Sequence, residues 1–326
     1  MIKKYQLMKC YNNSIQKIMK TKKVLVTGGN GFIGSHIVDL LLKKEYQIVV
    51  ISKVTPSRFV NSRSNISHYR IDLSSFEEVE NVLRVERPGV ICHLASSIPY
   101  ARESLLHPEK SLQDVIHAIN LFEAARKFDV SHIIFSSSSN VYEDINGPLR
   151  EDSKKNPLSP LGISKIMVES YIKYLQNTTD IIFTTLRYFN AFGPRQRLSE
   201  FSGIIPNAIV KAMKGEEITI FGNGNQIRDF IYVDDIARAN LKVIEHPQSG
   251  IFNVGSGQGT SVKKLIATIE KLIARKMPKI YSESSNEITN SIADISKMKK
   301  TFNWKPRVSI EQGLKKTIDY YKGISL

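Results

Sequence analysis

Near the start of the chain, Gly28-Gly29-Asn30-Gly31-Phe32-Ile33-Gly34 combines residue types and spacing suited to holding a phosphate. Glycine lets the backbone turn sharply and approach a pyrophosphate closely, while free N–H groups and the positive end of a following helix attract the phosphate charge. The flanking chain agrees. Lys23-Val24-Leu25-Val26-Thr27 reads as a short buried strand, and Ser35 to Lys44 as a helix with Ile33, Ile37, Leu40 and Leu41 on one face. A glycine triplet alone is weak evidence; strand, glycine turn and helix in that order predict a dinucleotide site. At the end of the second strand, a chain preferring NAD places an acidic side chain for the adenosine ribose hydroxyls. Here Ile51-Ser52-Lys53 stands there, with Arg58 and Arg63 close behind, so NADP is expected ahead of NAD. Lys53 reads equally as a solvated loop residue.

The elements that must position this turn alternate between strand and helix, which predicts a parallel sheet covered on both faces. Strands are expected near Val24 to Thr27, Ile48 to Ser52, His68 to Ile71, Val90 to Leu94, His132 to Ser136 and Ile181 to Arg187. Past Arg187 the pattern loosens. Glycines and prolines between Tyr188 and Arg228 suggest a second lobe, a helix from Asp234 returns to the first, and Ser261 to Leu326 is expected to complete the lobe. Ligands in such folds sit beyond the carboxyl ends of the strands.

Several further segments, in this order, resemble the extended short-chain dehydrogenase/reductase family, in its nucleotide-sugar epimerase, dehydratase and reductase branch. They are His93-Leu94-Ala95, the serine run Ser136 to Ser139 before Val141-Tyr142, and Leu186-Arg187-Tyr188-Phe189-Asn190 through Gln196. Phe221-Gly222-Asn223-Gly224 through Arg228-Asp229 to Asp235 completes the set. The resemblance covers nearly everything from about Lys22 onward. It implies an α/β fold: a Rossmann-like doubly wound parallel sheet with a smaller C-terminal α/β substrate lobe. The implied division is a basic extension over 1–21, a dinucleotide-binding domain over 22–187 with about 230–258, and a substrate lobe from 188–229 and 259–326. It places Gly28, Gly31, Phe32, Ile33, Gly34, Leu94, Ala95 and Lys165 around the dinucleotide, Ser52, Lys53 and Arg58 at the adenosine ribose, and Asp72 with Leu73 at the adenine. Helix capping is the alternative reading of Asp72.

The family transfers a hydride between nicotinamide and a sugar carbon while a proton moves at the hydroxyl or carbonyl oxygen. A serine or threonine holds that oxygen, a tyrosine passes the proton, and a lysine four residues later binds the nicotinamide ribose and lowers the tyrosine pKa. Ser138 matches the hydroxyl and Lys165 the lysine, but Leu161 stands where the tyrosine belongs. Leucine neither donates nor accepts a proton. Ser138, Tyr142, Tyr100 or an ordered water could relay it instead, with Ser138 favoured. The alternative is a dinucleotide and sugar-nucleotide binding protein that has ceased to catalyse and serves as a partner or sensor.

Subclass follows by elimination. Dehydratases of this family carry Asp-Glu where Ser139-Asn140 stands, and the fucose-type reductases carry a cysteine at Asn140, so both are disfavoured. What remains is 4-epimerase-like chemistry, simple oxidation, or reduction of a keto-sugar nucleotide. The expected substrate is a nucleotide-diphosphate sugar, with Ser138 at the sugar, Asn190 and Arg228 at the diphosphate and Phe221 lining the base pocket. An amide can donate to phosphate and an arginine fork suits it bidentately; an ion pair with Asp229 or Asp234 is the alternative for Arg228. A second arginine of the family pattern is missing from Ser284-Ser285-Asn286-Glu287, and Arg195, Arg197 or Lys279 are the candidates to compensate.

Composition fits such an enzyme. A chain of 326 residues can bury one large core with an appended lobe, and no apolar run approaches the roughly 20 residues needed to cross a bilayer. Two cysteines, Cys10 and Cys92, give no disulfide framework, and the seven histidines show no metal spacing, so neither disulfide nor metal is expected. A cytoplasmic location is the default. The formal charge of +15 is partly concentrated in lysines ahead of the first strand, which suits a polyanionic substrate better than nucleic acid. Met19 stands where chains of this family usually begin, so residues 1 to 18 read as an extension or an upstream start. Trp304 reads as packing, and Asp234 and Asp235 as a helix cap and first-turn charge. A homodimer through two helices of the first domain is what the resemblance implies.

Overall fold

The computed structural model describes residues 22–324 except 54–64, 99, 146, 200 and 284–287, so Arg58, Arg63, Cys10, the basic extension and the Ser284 to Glu287 stretch lie outside the described residues. The first part of the chain alternates as β1 (Lys23–Thr27), α1 (Phe32–Lys43), β2 (Gln47–Ile51), β3 (Ile66–Tyr69), α2 (Phe76–Glu86) and β4 (Val90–His93). It continues through α3 (Ala101–Leu106), α4 (Pro108–Ala125), β5 (His132–Ser138), α5 (Pro160–Thr178) and β6 (Ile182–Tyr188). Then follow β7 (Asn190–Phe192), α6 (Ile204–Lys214), β8 (Ile218–Phe221), β9 (Ile227–Tyr232), α7 (Val233–Glu245) and β10 (Gly250–Val254). The last elements are β11 (Gly259–Ser261), α8 (Val262–Ile273), β12 (Lys279–Ser282), β13 (Asn290–Ser291), α9 (Ser296–Phe302) and α10 (Ile310–Lys322).

Seven strands form one sheet in the order β10-β6-β5-β4-β1-β2-β3, every pairing parallel. Strands such as Val24 to Thr27 and Val90 to His93 are buried along their length because helices cover both faces. On one face, α1 and α7 pack Ile37, Leu41, Ile236 and Val243 onto Val26 and Val50; on the other, α2, α4 and α5 bring Leu83, Phe122 and Ile172 onto Leu25 and Ile91. The third strand lies two residues earlier than expected, at Ile66–Tyr69, and α1 starts at Phe32 because Gly31 is already its N-cap.

A second sheet runs β11-β9-β13 with β7 on β9, beside the pair β12-β8. Ile209, Ile266 and Leu314 from α6, α8 and α10 pack against Phe230 and Tyr232 there. The chain beyond Ser261 does not all go to this lobe. Met298, Phe302 and Trp304 pack into the core of the first sheet, with the Trp304 indole donating to the Asp235 carbonyl oxygen at 3.3 Å. Asp234 and Asp235 do stand in the first turn of α7, but neither side chain caps it. The Asp235 carboxylate is buried and accepts from the backbone of Arg307 and Val308, and it pairs with Arg238; its work is to pin the C-terminal segment.

One buried polar network ties α5 to the sheet. Arg187 on β6, 0% exposed, donates to both carboxylate oxygens of Glu169 at 2.8 and 2.6 Å, to the Tyr142 hydroxyl at 2.8 Å and to the Glu151 carbonyl at 3.0 Å. Ser137 donates to the same carboxylate at 2.7 Å, and the Tyr142 hydroxyl donates to the Asn253 amide oxygen at 2.6 Å. Removing one partner of a buried, hydrogen-bonded pair leaves an uncompensated charge. Arg187→Met is therefore expected to lower unfolding free energy by about 3–5 kcal/mol, and Arg187→Met with Glu169→Leu by less, both read from urea denaturation.

Candidate active site

The site forms where the chain reverses direction across the sheet, between β1 and β4, whose last residues Thr27 and His93 are register partners. Gly28 follows β1 with φ +70°, and a Cβ there would lie 3.0 Å from the Ala95 backbone. At Gly34 a Cβ would stand 2.2 Å from the Gly28 carbonyl oxygen, so the glycine closes the turn against the helix. Gly31 caps α1 without a side-chain hydrogen bond, and no acidic residue stands in the first turn. The helix end thus keeps N–H groups and positive potential for a bound anion. Behind it, the Thr27 hydroxyl accepts from Leu94 and Ala95 N–H at 3.2 and 3.1 Å. With its lone pairs taken, Thr27 donates its proton to His93 Nδ1 at 2.8 Å, which fixes a neutral ring; burial pulls that imidazole down to about 3.

A cleft of about 1620 Å³ opens over this turn. Ordinary ligand pockets measure about 300–1,000 Å³, so the cleft has room for two ligands. Gly28, Gly31, Phe32, Ile33 and Gly34 line it, with Leu94 and Ala95 across the turn. Ser52, Lys53 and Leu73 line its far end. Asp72 does not cap α2; Ser75 does, accepting from Glu78 N–H. Asp72 instead pairs with Lys53 at 2.8 Å. Partial burial pushes the Asp72 carboxyl up, but the bonds from Lys53 and Ser74 outweigh this and hold it at about 2. Lys53 is thus an exposed loop cation, as the solvated reading had it, and its pairing with Asp72 is a surface ion pair.

At the middle of the cleft, β5 ends in the serine run. Ser136 donates to the His93 carbonyl at 3.0 Å and Ser137 to Glu169, which leaves Ser138 facing the cleft. Asn140 donates to the Ser138 hydroxyl oxygen twice, from its backbone N–H at 3.2 Å and its amide at 2.8 Å. Both lone pairs being engaged, Ser138 is left as a hydrogen-bond donor. Tyr142, one of the alternative relays, points away into the Arg187 network, where burial pushes its phenol up to about 12; it does not serve the cleft. Tyr100 does line the cleft.

Helix α5 enters over this turn because Gly162 lets it come close; a Cβ there would lie 2.3 Å from the Asn140 carbonyl oxygen. Ser159 caps the helix, accepting from Gly162 N–H, and Pro160 occupies its first turn. Leu161, Lys165 and Glu169 follow at four-residue spacing on one face. Leu161 is 3% exposed and lines the cleft beside Lys165, 8% exposed, whose Nζ lies 5.0 Å from the centre of the Phe135 ring. Burial pushes the Lys165 ammonium below the ordinary lysine range, against the opposing charges of Asp114 and Glu169.

The second lobe supplies Asn190, Phe221 and Arg228. The Asn190 amide donates to the Asp229 carbonyl at 3.1 Å. The Asp229 carboxylate is taken up by Ser256, Gly257 and Ala293, and that of Asp234 by His36 at 3.0 Å. Of the compensating cations, Arg197 lines the cleft, Arg195 lines it while paired to Asp39 at 2.7 Å, and Lys279 is paired to Glu270 away from it. Motif reading missed Arg102, whose guanidinium lies 3.9 Å above the Phe221 ring, and the Asn140 clamp on Ser138. Arg102 and Phe221 meet only across the cleft, so no spacing marks that contact, while the Asn140 clamp lies within a single turn. Glu283 is the one carboxylate among the described lining residues, against seven lysines and arginines, which suits ligands rich in phosphate.

These features define a two-lobed, dinucleotide-binding protein with a second, cation-lined ligand site. A family model for the NAD dependent epimerase/dehydratase family matches residues 24–255, and the chain belongs to that family. It is 35% identical over 303 residues to a putative UDP-glucose 4-epimerase of Methanocaldococcus jannaschii, covering 92% of this chain and 98% of that one. Among solved structures, it is similar to UDP-glucose 4-epimerase of Thermotoga maritima with UDP-glucose, at TM-score 0.87 and 33% identity, covering 92% of this chain and 98% of that one. The Thermus thermophilus UDP-glucose 4-epimerase in complex with NAD superposes at TM-score 0.87 with 27% identity, covering 93% and 100%.

Gly34→Ala is expected to weaken dinucleotide binding at least tenfold without unfolding the protein, since the intruding methyl displaces the phosphate-binding turn; calorimetric titration alongside circular dichroism measures both.

Proposed function

We propose that the protein interconverts UDP-sugars at a ring carbon as an NAD-dependent 4-epimerase with an altered proton relay. When bound, the dinucleotide supplies a hydride acceptor and donor. The chain supplies the rest: the uncapped end of α1 for the pyrophosphate, Leu94, Ala95 and Leu73 as walls, and Lys165 beside the nicotinamide half. Ser138 holds the reacting oxygen, and Asn190, Phe221 and Arg228 hold the nucleotide of the substrate. The observation that carries this reading is Ser138, which accepts twice from Asn140, is left as a donor, and lines the same cleft as Lys165. NAD is preferred over NADP because similar solved structures hold NAD, and Lys53, one of the three cations that suggested NADP, pairs at the surface with Asp72.

The enzyme acts as a homodimer on this reading. Leu112 and Ile116 on α4 and Ile163, Met167 and Tyr174 on α5 form an exposed apolar stripe across two packed helices, and a second copy of the chain covers it. Light scattering is expected to give twice the chain mass, and Met167→Glu to give a monomer.

Denaturing fresh protein should release NAD, identified by mass spectrometry, and the protein should interconvert UDP-glucose and UDP-galactose or their uronate or N-acetyl counterparts. Ser138→Ala is expected to lower kcat about 10²–10³-fold, as for loss of one preorganised donor. Leu161→Tyr should raise turnover by up to about 10²-fold, within the usual worth of general acid–base catalysis. Release of NADP would reverse the cofactor preference, and no turnover in either the natural or the Leu161→Tyr protein would leave a binding protein.

A further inference from the structure

We propose that Lys165 itself carries the proton in this enzyme, as a neutral amine that accepts it from the sugar hydroxyl and an ammonium that returns it. The inference rests on the epimerase reading above and concerns the position that Leu161 leaves without chemistry.

The surroundings narrow the choice. Ser138 has both lone pairs engaged by Asn140, so it can steady an oxygen but is badly placed to take a proton. Ser136 and Ser137 spend their protons on the His93 carbonyl and Glu169. His93 is locked to Thr27, Tyr142 to Arg187 and Asn253, and Tyr188 to Asn240. Asp114 accepts from Ser96 and from Ser97 N–H at 2.8 Å. Lys165 differs from all of these. It lines the cleft, it is nine-tenths buried, and its Nζ makes no hydrogen bond or ion pair among the described residues, resting over the Phe135 ring. It stands one helical turn from Leu161, on the same face.

The charged and titratable groups facing Lys165 are His93 on β4, Asp114 on α4 and Glu169 on its own helix. Glu169 is already neutralised by Arg187 from β6, and Asp114 is shared with His117. Burial favours the neutral amine, and the two carboxylates keep the ammonium within reach. A lysine whose basicity is lowered by burial is able to act as base and acid in turn. In the forward step the Nζ lone pair takes the hydroxyl proton. The O–H electron pair becomes the second bond of the ketone as the C–H pair leaves as hydride, for which the dinucleotide, when bound, would be the acceptor and later the donor. Once hydride has returned to the ketone carbon, the ammonium gives its proton to the oxygen, restoring the amine.

The test compares Lys165→Arg in two backgrounds, because arginine keeps the charge but does not deprotonate in proteins. In the natural chain, Lys165→Arg should lower kcat, measured at saturating NAD, at least about 10²-fold. With Leu161→Tyr present, the same change should cost less than tenfold, since the phenol then supplies the proton. The kcat/KM of the natural protein should rise with pH and level off below the ordinary lysine pKa of about 10.4. NMR of 13C-labelled lysine in the NAD-bound protein should place the Lys165 titration at that same midpoint.

Either of two results would overturn the assignment: turnover of Lys165→Arg at saturating NAD above half the natural value, or equal losses in both backgrounds. A Tyr100→Phe protein that stops turning over while Lys165→Arg continues would move the role to Tyr100. Failure of the epimerase reading looks different, as no turnover of any UDP-sugar with or without Leu161→Tyr, and it removes this assignment too.

Discussion

The bidentate bond between Arg187 and Glu169 is the constraint from which the rest of the site follows. It joins the middle of α5 to β6 where no water competes, so the helix can neither rotate nor slide without stranding two buried charges. Because Leu161 and Lys165 lie on the same face at four-residue intervals, fixing Glu169 aims both at the carboxyl end of the sheet. Close approach of the helix start is then permitted by Gly162 against Asn140, and Asn140 in turn orients Ser138. Burial alone would lower the basicity of Arg187, but Glu169 outweighs it, so the pair stays ionised.

At the other end of the cleft the governing interaction is the open end of α1. Its capping position is glycine and its first turn carries no carboxylate, so the helix presents unsatisfied N–H groups where a pyrophosphate would bind. Thr27 supports the opposite wall by accepting from Leu94 and Ala95, which holds the backbone that Gly28 must approach. Two preorganised surfaces thus face one cleft, and cations from both lobes line it. The second lobe owes its position partly to Asp235, which binds the chain at Arg307 and Val308, while Trp304 packs under α7.

Leucine at position 161 brings neither charge nor hydrogen bond to Lys165, whose Nζ rests over an aromatic ring with His93, Asp114 and Glu169 as the titratable groups around it. The local field is then set by Asp114 and Glu169, both occupied by other donors. Such a lysine is held by shape and burial rather than by a bond, which is the condition under which its protonation state responds most to a ligand.

Sequence by itself determined the glycine turn, the alternation that makes a parallel sheet, and the register of Leu161 and Lys165 on one helix face, because each depends on backbone geometry within a few residues. It located the cleft's glycines, Ser138, Lys165 and Arg228 for the same reason. Only the tertiary structure decided that Lys53 is spent on Asp72, that Tyr142 turns into the core, that Asn140 saturates Ser138 and that Arg102 meets Phe221. It also decided that Met298 to Trp304 belong to the first core and not the second lobe. Most of these contacts join residues far apart in the chain, and the Asn140 clamp depends on how one turn is folded. The chemistry of a polar side chain is set by which donors and acceptors it meets. Spacing in the chain carries no record of those meetings, and the packing of helices onto the sheet creates them.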